Sequence, residues 1–105
     1  MISIEIFYLA GQIKRFSVAG HANVATRGKD IVCAGVSALT QSAVLGLMNH
    51  LERELDLQVA EGQLDCTLRE VPDDLTEAVC QTMLLGLKEI AKISPKSVRI
   101  IEHRR

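Results

Sequence analysis

Apolar and polar residues alternate from the start of the chain. In ISIEIFY (2–8), Ile2, Ile4 and Ile6 fall on one face, the period of two that a half-buried strand requires. LAGQ follows, and Gly11 can take the positive φ of a tight turn. IKRFSV (13–18) then reads as the returning strand of a hairpin. Residues 19–32, with Gly20 and Gly28, show no sustained period and predict a long connection. From about 33 to 54 the period becomes helical. Leu39, Ala43, Leu47 and Leu51 form one i,i+4 row; Val36, Thr40, Val44 and Met48 form the next. So broad an apolar arc predicts a largely buried helix. ERELD (52–56) brings the chain back to solvent. In LQVAEGQLDCTL (57–68), Leu57 and Val59, then Leu64, Cys66 and Leu68, alternate around Glu61-Gly62 as a second hairpin. VPDDLTEAV (71–79) opens a second helix, with Asp74 and Glu77 at capping-box spacing. Leu75, Val79, Met83, Leu87 and Ile90 are its apolar stripe, and Ser94-Pro95 ends it. KSVRIIEHRR (96–105) is a last strand with a basic end.

The order β-β-α-β-β-α-β predicts a two-layer α/β (α+β) domain spanning residues 1–105. One sheet of about five strands, with both helices packed on one face, would bury both stripes. The pattern does not specify the strand order. Aromatic residues are 3% of the chain (Phe7, Tyr8 and Phe16), so the core is expected to be aliphatic. The same scarcity argues against a base-stacking platform. A formal net charge of -1 supplies no basic field, and direct nucleic-acid binding is not expected. The N-terminus lacks the basic region and cleavage pattern of a signal peptide. The apolar stretches are interrupted by Gln, Ser or Asn and read as too short to span a membrane, so no membrane association is expected. Cys33, Cys66 and Cys80 are scattered, which fits neither a disulfide framework nor paired metal ligands. A reducing cytoplasm, with no cofactor and no metal, is the expectation.

The stretch GHANVATRGKDIVCAGVSAL (20–39) holds the candidate chemistry. A thiol has an ordinary pKa of about 8.5, and a helix N-terminus or a neighbouring histidine lowers it. Cys33 lies at the predicted helix start, where backbone amides could face its sulfur and an oxyanion. His21 closes the second predicted strand and could act as the base. Asp30 is the nearest carboxylate, and Ser37 lies one turn beyond Cys33 on the same face. Each residue also has an ordinary reading: a small core cysteine, a solvated histidine, an N-capping aspartate, a packing serine and turn glycines. Spacing alone leaves both readings open.

The ordered run Gly20-His21-Ala22, Gly28, Asp30-Ile31-Val32-Cys33-Ala34 and Val36-Ser37-Ala38-Leu39 resembles the signature of the bacterial ribosomal-processing cysteine proteases, the Prp family. The family resemblance implies a small dimeric α/β enzyme. Such an enzyme removes a short N-terminal extension from a large-subunit ribosomal protein (number twenty-seven), after a pair of aromatic residues. By position, His21 matches the base and Cys33 the nucleophile, with Asp30 and Ser37 in support. The loop carrying Gly20, Ala22 and Gly28 matches a mobile, substrate-binding segment, with the two glycines as pivots. An aliphatic groove formed from residues such as Val36 and Leu39 is expected to receive the aromatic pair. Gly35 stands where Ala or Ser is more usual.

The other cysteines and histidines read as structural. Cys66 alternates into the core, and Cys80 lies beside the helix stripe. His50 sits near the end of the first helix, and His103 lies in a tail expected to fray. Arg27 and Lys29 read as solvated, with attraction of substrate or RNA as the functional alternative. A zinc site on His21 and Cys33 would lack two ligands. The competing functions are a non-catalytic, ribosome-associated binding module and a thiol acyltransferase or small-ester hydrolase.

Overall fold

The computed structural model describes residues 1–20 and 27–104, with side chains in the second segment described from Ile31 onward. The elements are β1 (Ile2–Leu9), β2 (Gln12–Ala19), α1 (Arg27–Leu45), β3 (Leu55–Ala60), β4 (Gln63–Leu68), α2 (Asp74–Ile93) and β5 (Val98–His103). This is the predicted order, with two shifted helix boundaries. The first helix begins at Arg27, six residues before Cys33, so Gly28, Lys29 and Asp30 belong to its first turn. At its other end α1 runs into a π-helical turn, Gly46–His50, closed by the Leu51 amide donating to the Gly46 carbonyl at 3.0 Å. The helical path therefore stops short of residue 54, and Met48 is exposed.

The five strands form one sheet in the order β3-β4-β2-β1-β5. β1–β2, β2–β4 and β4–β3 pair antiparallel, and β5 lies parallel beside β1. It follows that β2 and β3 run one way while β4 and β5 run the other. Each pair is joined by a helix, and the two crossovers move in opposite directions across the sheet. Right-handed crossovers of that kind place both helices on the same face.

The core lies between that face and the helices. Ile2, Ile4, Ile6 and Tyr8 from β1 meet Ile13 and Phe16 from β2 and Leu64, Cys66 and Leu68 from β4. Val32, Val36, Ala43, Val44 and Leu47 of α1 cover one part; Cys80, Met83, Leu84 and Leu87 of α2 cover another. Each fully buried aliphatic side chain here, such as Ile4 or Leu87, contributes about 1.5–3 kcal/mol. The α2 stripe is rotated from the predicted one: Leu75 is exposed, whereas Thr76 and Cys80 are buried. The cap also differs from the predicted one. Asp73, not Asp74, is the N-cap; its carboxylate accepts from the Leu75 and Thr76 amides, and the Thr76 hydroxyl accepts from the Asp73 amide. Glu77 instead accepts the Ile13 amide at 2.7 Å and ties α2 to the first hairpin.

Small residues bring the helices together. A Cβ on Gly35 would stand 3.1 Å from Ile90 Cδ1, and one on Gly86 would stand 2.9 Å from Leu39 Cδ1. Gly35 thus has a packing reason, and Leu39 belongs to the seam between the helices.

The other sheet face is polar. Phe7 lies between the Arg15 guanidinium, 4.6 Å from its centroid, and the stacked His103 ring at 4.5 Å. Arg15 forms a bidentate pair with Asp65, and His103 Nε2 lies 2.8 Å from Glu5 Oε1. His103 is therefore an ordered residue of β5 rather than part of a frayed tail. The membrane reading also needs correction. Residues Ile31–His50 are long and apolar enough to cross a bilayer by length and composition. In this fold their apolar side, from Val32 to Leu47, packs on the sheet.

Candidate active site

Cys33 is the seventh residue of α1 and is half-buried. The helix turn carries Val36, Ser37, Thr40 and Gln41 to the same side, at the three- and four-residue spacings of one helix face. Together with Cys33 they form one wall of a cleft of about 220 Å³. Ile2, Val18 and Leu64 form its floor. The β3–β4 hairpin, through Val59, Ala60, Gly62 and Gln63, forms the opposite wall. None of these described lining residues is charged, although 24% of the chain is.

The wall side chains differ in freedom. Val36 and Thr40 are buried, and the Thr40 hydroxyl donates to the Val36 carbonyl at 2.9 Å. Ser37 and Gln41 are exposed along the cleft margin. Leu64 belongs to the core, whereas Val59 is 64% exposed.

Gly20 closes one end of the cleft and is held firmly. Its amide donates to the Gly62 carbonyl at 2.9 Å, so the end of β2 is tied to the hairpin turn. Its φ is +97°, and a Cβ there would fall well inside 3.0 Å of the Met1 carbonyl oxygen. Only glycine satisfies both conditions.

The structure sorts the sequence-predicted residues. Cys33, Val36, Ser37 and Gly20 come together at the cleft. His21 and Ala22 lie outside the described residues. Gly28 is helical rather than a loop pivot, and Asp30, the fourth residue of α1, is not the N-cap. Leu39 does not line the cleft. Cys33 is also not at the helix start. Only the first four residues of a helix, here 27–30, leave amides without intrahelical partners. Those amides lie almost a turn ahead of Cys33, and the dipole effect fades over that distance. The other cysteines do not line the cleft. Burial, reinforced by Asp65, pushes the Cys66 thiol up to about 12. Burial, with Cys66 and Glu77 nearby, does the same to Cys80, to about 12. The sequence reading missed the hairpin wall and the floor. Nothing in the order of residues links position 33 to position 59; the β2–α1–β3 crossover makes that link.

A reduced cysteine in a cleft whose described lining is uncharged, between a helix and a hairpin of a two-layer α/β domain, is the arrangement of a small thiol hydrolase. The family model described as cysteine protease Prp matches residues 1–99. The chain belongs to that family and is a cysteine protease. It is 28% identical over 103 residues to the ribosomal processing cysteine protease Prp of Staphylococcus aureus (strain Mu50), covering 95% of this chain and 97% of the relative. A Streptococcus mutans crystal structure superposes with a TM-score of 0.90 at 27% identity, over 100% of this chain and 96% of the other. The Staphylococcus aureus Prp structure in complex with a covalently linked product peptide gives 0.87 at 26% identity, covering 97% and 99%. A third structure, of the same protease with a substrate peptide, also gives 0.87, at 25% identity and the same coverage.

Proposed function

We propose that this protease removes the N-terminal extension of a large-subunit ribosomal protein, number twenty-seven, during ribosome assembly in the cytoplasm, and that it works as a homodimer. The single observation that carries the reading is Cys33, a half-buried thiol lining a cleft whose described residues are all uncharged, in a protein of this family. A covalently linked product peptide in the Staphylococcus aureus relative supports a covalent route.

The reaction runs in two halves. The Cys33 thiolate attacks the scissile carbonyl, and an S–C bond forms. The C–N bond breaks as the leaving amine takes a proton from protonated His21. Water then gives a proton to His21 and attacks the thioester; the S–C bond breaks, which releases the acid and restores the Cys33 thiolate beside protonated His21. Since Cys33 lies past the first turn, its activation falls to His21, with Asp30 in support, rather than to the helix end. Ser37, one turn along, lines the same cleft, which supports a role for its hydroxyl in hydrogen-bonding the substrate. Val36 supplies apolar contact from the same wall.

The test is incubation with the extended ribosomal protein and mass spectrometry of the products. Wild type should yield one cut, and Cys33→Ala and His21→Ala should yield none while remaining folded. Cleavage by Cys33→Ala would overturn the reading. Binding without cleavage by wild type would make the protein a ribosome-associated binding module instead.

A further inference from the structure

The cleft has one wall built for constancy and one that can vary. The α1 wall and the floor use core residues: Val36, Thr40, Ile2 and Leu64 are each buried. Exchanging any of them disturbs the fold. The hairpin wall is different. Val59 stands on the edge strand β3, opposite Leu64 across the hairpin, and only part of it is covered. It is a branched apolar side chain that lines a cleft while spending most of its surface in solvent. The fold does not need it there. The cleft has no described charged residue to pair with a charged side chain of a bound peptide. Against these described residues, a charge entering it would lose water and find no partner.

We propose that Val59 is a specificity-determining residue: it forms the variable wall against which a substrate side chain near the cut packs, and it selects uncharged side chains there. The proposal rests on the reading of Cys33 as nucleophile and of the cleft as the peptide site. Leu57 is the natural control. It lies two residues earlier on the same face of β3, is also partly exposed, and does not line the cleft.

The experiment uses peptides of one sequence in which each position flanking the cleaved bond carries Leu, Glu or Lys in turn. kcat/KM is measured for wild type, Val59→Lys, Val59→Glu and Leu57→Lys. Ratios between peptides within one enzyme are compared, so a change in folded fraction cancels. Wild type should prefer Leu at one position at least. At that position Val59→Lys should lower the Leu-to-Glu ratio by about tenfold or more, the scale of pocket discrimination. Val59→Glu should lower the Leu-to-Lys ratio similarly, and Leu57→Lys should move neither ratio. Unchanged ratios in both Val59 variants overturn the proposal while Cys33-dependent cleavage stands. So do equal shifts in Leu57→Lys and Val59→Lys, which would mean a diffuse charge effect. If wild type cleaves no peptide, or Cys33→Ala cleaves as well as wild type, the underlying protease reading fails, and this proposal with it.

Discussion

Replacing Gly20 by alanine tests how the end of β2 is fixed beside the cleft. Two costs add. An L-residue at φ +97° is strained by roughly 1–3 kcal/mol. The new Cβ also collides with the Met1 carbonyl, which is backbone and cannot rotate aside. Either Met1 or Gly20 must move. That puts at risk the Ile2 amide bond to the Ser97 carbonyl at 2.8 Å or the Gly20 amide bond to Gly62 at 2.9 Å. A lost hydrogen bond costs about 1 kcal/mol. The sum is about 2–4 kcal/mol, a large share of a typical domain's stability. Gly11 separates the two costs. Its φ is +86°, yet a Cβ there would meet nothing within 4 Å. Gly11→Ala should therefore show strain alone, at the same roughly 1–3 kcal/mol. The gain from a stiffer unfolded chain is common to both variants and cancels. Urea denaturation of the two variants at constant m-value measures the difference. Gly20→Ala should be the less stable by about 1 kcal/mol or more, the cost of the lost hydrogen bond, and should also cleave more slowly per folded molecule. Equal midpoints would refute the claim that contact with Met1, rather than φ alone, demands glycine at this position.

Other outcomes follow from the thiols and the first turn. At pH 8, thiols with pKa values of about 12 are ionised to about one part in ten thousand, so iodoacetamide should leave Cys66 and Cys80 untouched in the native protein. A single adduct at Cys33, with loss of cleavage, is expected; prior labelling of Cys66 or Cys80 would contradict the burial argument. The same two groups predict alkaline sensitivity. Their folded pKa values lie above a thiol's ordinary value of about 8.5, so the folded state keeps protons that the unfolded chain gives up. Their stabilising effect is complete below about pH 9 and is lost progressively between about 9 and 12. A Cys66→Val, Cys80→Val double variant should show a flatter decline than wild type over that range, and parallel curves would sink the idea. At the first hairpin, Ala10 is a non-glycine residue at φ +52°. Ala10→Asn should raise stability by about 0.5–1 kcal/mol, since Asn tolerates that region better; an unchanged thermal midpoint would count against it.

The legible parts of this fold were those governed by local period. Ile2, Ile4 and Ile6 alternate because one face of β1 is buried, and that face turns out to be the centre of the core. Leu57 and Val59 alternate in the same way, yet they are exposed, because β3 is an edge strand that the helices do not cover. Alternation marks a strand and says nothing of its place in a sheet. The start of α1 was missed because Arg27-Gly28-Lys29-Asp30 is polar and contains glycine. A single helical glycine costs only about 1 kcal/mol, which the packing of Val32 and Val36 outweighs. Both Asp73 with Thr76 and Asp74 with Glu77 have cap-like spacing. The choice between them depended on the Ile13 amide, sixty-four residues away, which engages Glu77. For the candidate site, Cys33, Ser37 and Val36 were legible because one helix face carries all three. The hairpin wall was not, because it reaches the cleft only through the crossover from β2 to β3.

The parallel pairing of β1 with β5 also sets where the chain's two ends lie. Ile2 stands opposite Val98 at the cleft end of the sheet, and Phe7 stands opposite His103 at the other end. Met1 touches the position of Gly20, and Ile2 forms part of the cleft floor. Anything fused ahead of Met1 begins at the mouth of the cleft, where it can compete with a peptide or displace Gly20. A purification handle or fluorophore joined beyond β5 begins a strand's length away. Assays of cleavage should carry their labels there, and an amino-terminal fusion becomes a deliberate way to occlude the site.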